Sequence, residues 1–119
     1  SSITPGRHFF SSRGAIKEII KVDEQGTVSY FEGERRVSRI YLPLARVWPL
    51  VTRFRGQELS SVDLKHAMPD VFGPAKNGDA KKGHACNCIT LFLILKEAGV
   101  VKRIEGEGVR GNPFRVHLR

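Results

Sequence analysis

The sequence predicts an α+β fold, in which a three-stranded antiparallel meander packs on a mainly helical part that ends in a β-hairpin. Three observations support this prediction. Short β-type runs joined by turn residues fill the first third, a long apolar run stops at Gly99, and a Gly-rich segment then separates two strand-like runs. We therefore divide the chain into a meander subdomain, residues 1–42, and a second subdomain, residues 43–119, that share one core.

The meander is predicted from three runs of β-type residues, at residues 15–22, 27–31 and 36–42. In the second run, Val28 and Tyr30 alternate with small polar residues, which is the period of a strand with one buried face. The connections at residues 23–26 and 32–34 each contain a Gly that can adopt the positive φ of a tight turn. A sheet this small is not stable alone, so we expect it to pack on the residues that follow.

The first helix of the second subdomain is predicted at residues 43–51, with Pro43 in its first turn. Pro49 lies inside this segment, and an interior proline removes one helical hydrogen bond. The sequence therefore predicts either two short helices or one helix that is kinked near Trp48.

Two further helices follow. Ser60 provides an N-cap and Asp63 an acidic first turn for the first of them, which Pro69 should end. The second is a long apolar helix at residues 84–98, and Gly99 occupies the C′ position that commonly ends a helix.

The charge of the chain favours a polyanionic partner. The 119 residues carry a formal net charge of +8, with a pI near 10.0. Residues 1–42 hold 7 Lys and Arg against 5 Asp and Glu, whereas residues 43–119 hold 13 against 7. Most of the excess therefore belongs to the second subdomain.

Composition excludes several other classes of protein. A hydrophobic fraction of 40% is sufficient for a folded core, and the longest apolar run, residues 89–95, is far too short to span a bilayer. We therefore expect no membrane partner. The two cysteines are poorly spaced for a disulfide with each other, so we expect a reduced, intracellular protein of the cytoplasm, nucleoid or nucleus.

The last part of the chain carries the most specific pattern. Cys88, Phe92 and Leu95 recur along the long helix at core spacing, and Ala98-Gly99-Val100-Val101-Lys102-Arg103 follows them. This segment resembles the recognition helix and wing of winged helix-turn-helix DNA-binding domains, in which Leu-x-x-Ala-Gly-Leu-Val-x-Arg precedes a basic hairpin. The resemblance implies a C-terminal winged helix-turn-helix, and DNA binding as its expected function.

Helix and hairpin geometry give the same expectation. A helix fits the major groove of DNA, and its N-terminal turn presents free N–H groups to phosphate. The predicted phosphate contacts are Lys76, Lys81, Lys82, Arg103, Arg110 and Arg115. The predicted readers of base edges are His84, Asn87 and Thr90. Asn112, beside Arg110 at the hairpin tip, is predicted to reach phosphate or a minor groove.

The long helix is apolar on nearly every side, which predicts burial of more than one face. The meander is one candidate to cover its second face, and a partner protein is the other. Besides double-stranded DNA binding within a larger DNA-processing or regulatory protein, three alternatives follow. The helix is purely structural, or it docks a protein partner through residues 84–98, or the meander aromatics bind single strands or RNA.

No catalytic motif or cofactor-binding motif is visible, so we expect a protein that is not an enzyme and needs no cofactor. The spacing His84-x-Cys86-x-Cys88 suggests zinc, but two cysteines that are two residues apart on a helix point away from each other. Burial as small hydrophobic side chains is the commoner role of cysteine, and we predict no metal site.

Overall fold

The computed structural model describes residues 8–10, 16–32, 39–73 and 86–119. In chain order the elements are β1 (His8–Phe10), β2 (Ile16–Val22), β3 (Thr27–Glu32), β4 (Arg39–Pro43), α1 (Leu44–Arg53), β5 (Glu58–Ser60), α2 (Ser61–Ala67), α3 (Pro69–Phe72), α4 (Cys86–Glu97), β6 (Val101–Glu105) and β7 (Arg115–Leu118). The strands form two antiparallel sheets, ordered β1-β2-β3-β4 and β5-β7-β6. The predicted α+β class is confirmed.

The first sheet differs from the predicted three-stranded meander, because it has four strands. β1 is too short to be recognised from its sequence, and it adds to the outer edge of β2 with His8 opposite Glu18. The turn between β2 and β3 is held by the Asp23 carboxylate, which accepts hydrogen bonds from the backbone N–H groups of Gln25 and Thr27, both at 2.9 Å.

The segment predicted as two short helices or one kinked helix is the single helix α1, which contains Pro49. The two-helix alternative is therefore wrong. Proline leaves the carbonyl of the residue four positions earlier, Ala45, without its helical partner. Ala45 and Pro49 are both exposed, so water can donate a hydrogen bond to the Ala45 carbonyl. The core-facing side is formed by Val47, Leu50 and Val51.

The predicted start and stop signals of α2 are confirmed. The backbone N–H of Asp63 donates to the Ser60 hydroxyl at 3.2 Å, and the Asp63 carboxylate accepts from the Ser60 N–H at 2.9 Å. This reciprocal pair is a capping box. The helix ends at Ala67, and Pro69 begins the four-residue helix α3.

The second sheet contains a strand that was not predicted, β5, which has only three residues. β5 pairs with β7, so that β7 lies between β5 and β6. The segment between α1 and β5 is also hydrogen-bonded to β7. The Gly56 N–H donates to the Leu118 carbonyl at 3.1 Å, and the Leu118 N–H donates to the Gln57 carbonyl at 3.0 Å. These bonds hold the end of α1 against the hairpin.

The long helix α4 ends as predicted. Gly99 has φ of 77°, its N–H donates to the Lys96 carbonyl, and the Val100 N–H donates to the Leu95 carbonyl, both at 3.0 Å. This is a Schellman motif, which turns the chain directly into β6. Residues 87–95 are all buried, because α2, α3, β4 and β6 pack around the helix. Within the described residues, no helix has the length and apolar character needed to cross a membrane.

Asn87 joins three elements in the core that surrounds α4. Its side-chain Nδ2 donates to the carbonyls of Tyr41 in β4 and Val71 in α3, both at 2.9 Å, and its Oδ1 accepts from the Tyr30 hydroxyl at 2.7 Å. Asn87 is 1% exposed and Tyr30 is fully buried. The hydrophobic core itself is one cluster, with members from both predicted subdomains.

We predict that Asn87→Leu lowers the free energy of unfolding by about 3 kcal/mol. The change removes three hydrogen bonds and leaves the Tyr30 hydroxyl and two backbone carbonyls buried without that partner. Thr90→Val, on the same helix, is the matched control. The Thr90 hydroxyl is buried and has no hydrogen-bond partner among the described residues, so its replacement by a methyl group should leave stability unchanged or raise it by up to about 1 kcal/mol. Urea denaturation measures both, and equal losses would contradict this role for Asn87.

Candidate nucleic-acid interface

The hairpin formed by β6 and β7, hereafter the wing, presents one arginine at its tip. The Asn112 N–H donates to the Val109 carbonyl at 3.0 Å, which closes a tight turn around Arg110 and Gly111. Gly111 has φ of 84°, a positive value that Gly adopts without strain. Arg110 is exposed at the end of this turn, and no hydrogen bond or ion pair within the described residues restrains its side chain.

Arg115 lies at the centre of the wing and holds it together. Its guanidinium contacts Glu58 Oε1 of β5 at 3.3 Å and Glu105 Oε2 of β6 at 3.8 Å, and donates to Asn112 Oδ1 at 3.0 Å. The side chain is 34% exposed. Arg115 and Asn112 therefore bind each other and the sheet, which differs from the direct DNA contacts predicted for them.

The outer face of the wing carries further cations. Val101 pairs with Leu118 and Ile104 pairs with Val116, so that Lys102 and Arg103 together lie opposite one residue of β7. Both are exposed. A cleft of about 320 Å³ on this face, hereafter the wing cleft, is lined by Lys102, Arg103, Glu105, His117 and Arg119.

A second cleft adjoins the wing cleft through Arg119, which lines both. It lies where the end of α1 meets the beginning of β6 and the end of β7, and it has a volume of about 400 Å³. We call it the Trp48 cleft; its lining residues are Trp48, Val51, Thr52, Arg55, Val100, Leu118 and Arg119. None of these described lining residues is acidic.

The prediction that Asn87 and Thr90 read base edges is wrong, because both side chains are buried, with 1% and 0% exposure. The Asn87 amide is hydrogen-bonded to the Tyr30 hydroxyl and to the backbone carbonyls of Tyr41 and Val71. Arg103 and Arg110, two of the predicted phosphate contacts, are exposed. The remaining predicted contacts, Lys76, Lys81, Lys82 and His84, lie outside the described residues.

The described residues also weigh against two of the alternative functions. A helix with residues 87–95 buried has no free apolar face for a protein partner in its described part. Tyr30, one of the meander aromatics proposed to stack on bases, is fully buried. The side chains of Phe9 and Phe10, two others, lie outside the described residues.

The thiols of α4 have the character of core side chains. Cys88 is 3% exposed, and burial raises the pKa of its thiol to about 11. Cys86 is half-buried, and its Sγ lies 3.7 Å from the Tyr30 hydroxyl oxygen. Across the described ranges, no three His, Cys, Asp or Glu side chains are grouped so that they could hold a metal ion. His84, the remaining residue of the zinc hypothesis, is not among them.

No family model, curated protein or solved structure matches this chain.

Sequence reasoning did not single out Trp48, Arg55, Lys102 and Arg119 as site residues. Trp48 lies in α1 and Arg55 follows that helix, whereas Arg119 follows β7, far along the chain. Their proximity depends on the pairing of β5 with β7, which has little local signal. The exception is Trp48: its spacing of four residues from Thr52 puts both on the same side of α1, next to the core-facing side.

We predict that the stability of the protein falls at high pH because of Cys88. A thiol that is harder to ionise in the folded state than in the unfolded state contributes nothing below about pH 8 and destabilises the fold as pH rises from 9 toward 11. The loss should reach about 2 kcal/mol at pH 11. Urea denaturation from pH 8 to 11 measures it, and the same fall in the Cys88→Ala variant would refute the assignment to this thiol.

We also predict that Arg115→Gln loosens the wing. The free energy of unfolding should fall by no more than about 1 kcal/mol, because these ion pairs are partly exposed. Amide hydrogen exchange at Val109 and Asn112 should accelerate, since the side chain that anchors the tip is lost. Arg103→Gln is the control, because Arg103 has a 74% exposed side chain and one weak contact, with Glu105 at 3.4 Å. Equal acceleration in both variants would contradict the prediction.

Proposed function

We propose that this chain binds nucleic acid, most favourably double-stranded DNA, and that the wing makes the principal contact. The observation that carries this proposal is the wing itself: a hairpin with an unrestrained arginine at its tip, Arg110, and the exposed cations Lys102, Arg103 and Arg119 along one face. Two-stranded β-ribbons fit the major groove of DNA, and arginine enters narrow minor grooves.

The order of the elements supports the proposal. A helix that stops at Gly99 is followed by the hairpin of β6 and β7, an order that resembles the last helix and wing of winged helix-turn-helix domains. The resemblance in sequence concerns the same residues. Fold alone does not determine function, so the charge distribution on the wing carries the functional part of the proposal.

The proposed contact differs from insertion of α4 into the major groove. Residues 87–95 of α4 are buried, so that helix supports the wing from within the core. Glu105 is the last residue of β6 and Glu107 lies in the loop between Glu105 and the tip, so both would repel phosphate on that part of the wing. Glu105 is partly neutralised by Arg103 and Arg115, at 3.4 and 3.8 Å. The proposed phosphate contacts on the hairpin are Arg110 at the tip and the two exposed residues of β6, Lys102 and Arg103.

Arg46 and Arg53 are not part of the proposed interface. Arg46 donates to Asp70 Oδ2 of α3 at 2.6 Å, and this hydrogen bond holds the pKa of Asp70 below its usual value. Arg53 is five residues from Trp48, about 140° around the helix, and so projects from a different side of α1. Arg53 is exposed and therefore offers a matched control for charge substitutions.

We predict duplex binding whose salt dependence reports these contacts. Fluorescence anisotropy of a random-sequence duplex, titrated at several salt concentrations, should give a log–log slope of about −4 if Lys102, Arg103, Arg110 and Arg119 each neutralise one phosphate. Arg110→Ala should reduce the slope by about 1, and Lys102→Glu combined with Arg103→Glu should weaken binding at least tenfold. These effects should be similar for all duplex sequences, since phosphate contacts do not read bases.

The control is Arg53→Glu, which should change duplex affinity by less than about threefold, because it lies outside the wing. A comparable loss with Arg53→Glu would show that net charge alone drives binding. Absence of duplex binding at low salt, by a protein that is folded by circular dichroism, would refute the proposed function.

A further inference from the structure

The Trp48 cleft combines three features that one ligand would satisfy together. Its inner wall is apolar, formed by Val51, Val100 and Leu118. Trp48 stands at the cleft with 43% of its surface exposed, although its indole is the largest apolar side chain type. Arg55 and Arg119, both exposed, supply two guanidinium groups.

We propose that the Trp48 cleft binds one unpaired nucleotide, with its base stacked on the Trp48 indole and its phosphate held by Arg55 and Arg119. This inference rests on the proposed function in one respect, since it takes the nucleotide to be the unpaired end of a nucleic acid bound by the wing. The chemistry of the cleft also applies to a free mononucleotide, and the two sources are distinguished below.

The exposure of Trp48 is not required by the packing of α1. The core-facing side of the helix is already formed by Val47, Leu50 and Val51, which are at most 5% exposed. Trp48 lies beside that side, and the sequence contains no other tryptophan. Large exposed aromatic side chains beside basic groups are typical of sites that stack unpaired bases.

The charges of the cleft select a nucleotide over simpler ligands. A purely apolar ligand would desolvate two guanidinium groups without pairing them, and a simple anion would make no use of the indole. Arginine binds phosphate through paired hydrogen bonds, and none of the described lining residues is acidic. The volume of about 400 Å³ is within the range of small-ligand sites.

The walls of the cleft are fixed by backbone hydrogen bonds rather than by a ligand. Gly56 and Gln57 bond to Leu118 at 3.1 and 3.0 Å, and the Arg119 N–H donates to the Val100 carbonyl at 3.1 Å. The site is therefore formed in advance, which lowers the entropy cost of binding. Because Arg119 also lines the wing cleft, a strand held on the wing has a continuous basic path to Trp48.

The test compares four ligands by anisotropy and by the emission of the single tryptophan. They are a blunt duplex, the same duplex with a three-nucleotide overhang of either polarity, the same overhang with abasic sites, and a nucleoside monophosphate. The overhang duplex should bind about tenfold more tightly than the blunt duplex and quench the emission, because base stacking occurs at Trp48. The abasic overhang should show neither effect.

The variants separate stacking from charge. Trp48→Ala should remove the tenfold advantage of the overhang while leaving blunt-duplex affinity unchanged, and Trp48→Phe should retain most of the advantage. Arg55→Ala should reduce the advantage, whereas Arg53→Ala, the matched control on α1, should retain it. Circular dichroism and urea denaturation check that each variant is folded.

The outcomes distinguish this inference from the proposed function. Equal affinities for the blunt, overhang and abasic duplexes, with unquenched emission, would overturn the inference and leave duplex binding intact. If no duplex binds, the proposed function fails, and the nucleoside monophosphate decides the inference. Quenching of the Trp48 emission that Arg53→Ala retains and Arg55→Ala weakens supports a nucleotide site, and unchanged emission overturns it. Binding of the monophosphate as tightly as the overhang would assign the site to free nucleotides.

Discussion

The arrangement of this protein depends on the hydrogen bonds of one buried amide. Asn87 binds the Tyr30 hydroxyl and the carbonyls of Tyr41 and Val71, and so joins the first sheet, α3 and α4. A polar group buried without such partners would cost more free energy than the hydrogen bonds return, so the geometry of all three elements is restricted around it. The sheet thereby covers a face of α4 that would otherwise be open.

Because residues 87–95 of α4 are buried, the surface that a ligand can reach is formed by other elements. The apolar helix supports the wing, and the exposed cations of the proposed interface are carried by the hairpin and by Arg119, which follows it. Arg115 forms ion pairs with Glu58 and Glu105, and these ion pairs stiffen the hairpin. A rigid hairpin loses less conformational entropy on contact with a ligand than a mobile one, which favours recognition by the tip at Arg110.

The two clefts share Arg119 because β7 lies between β5 and β6. The central position of β7 carries the end of the chain from the wing face to the side of α1 where Trp48 is exposed. A basic surface of this kind is assembled from distant segments, and no single stretch of sequence contains its pattern. Charge counting located the excess in residues 43–119, and the fold brings four cations of that part to the two clefts: Arg55, Lys102, Arg103 and Arg119.

The sequence by itself determined the local elements with strong signals. The N-cap of α2 at Ser60 and the C′ glycine Gly99 depend on interactions between near neighbours, and both were predicted correctly. Sequence did not predict β1 or β5, because three-residue strands exist only through their partners. It also assigned Asn87 to DNA on the basis of polarity. Only the tertiary structure decided that this amide is buried, because exposure depends on contacts between residues far apart in the chain, which local patterns do not encode.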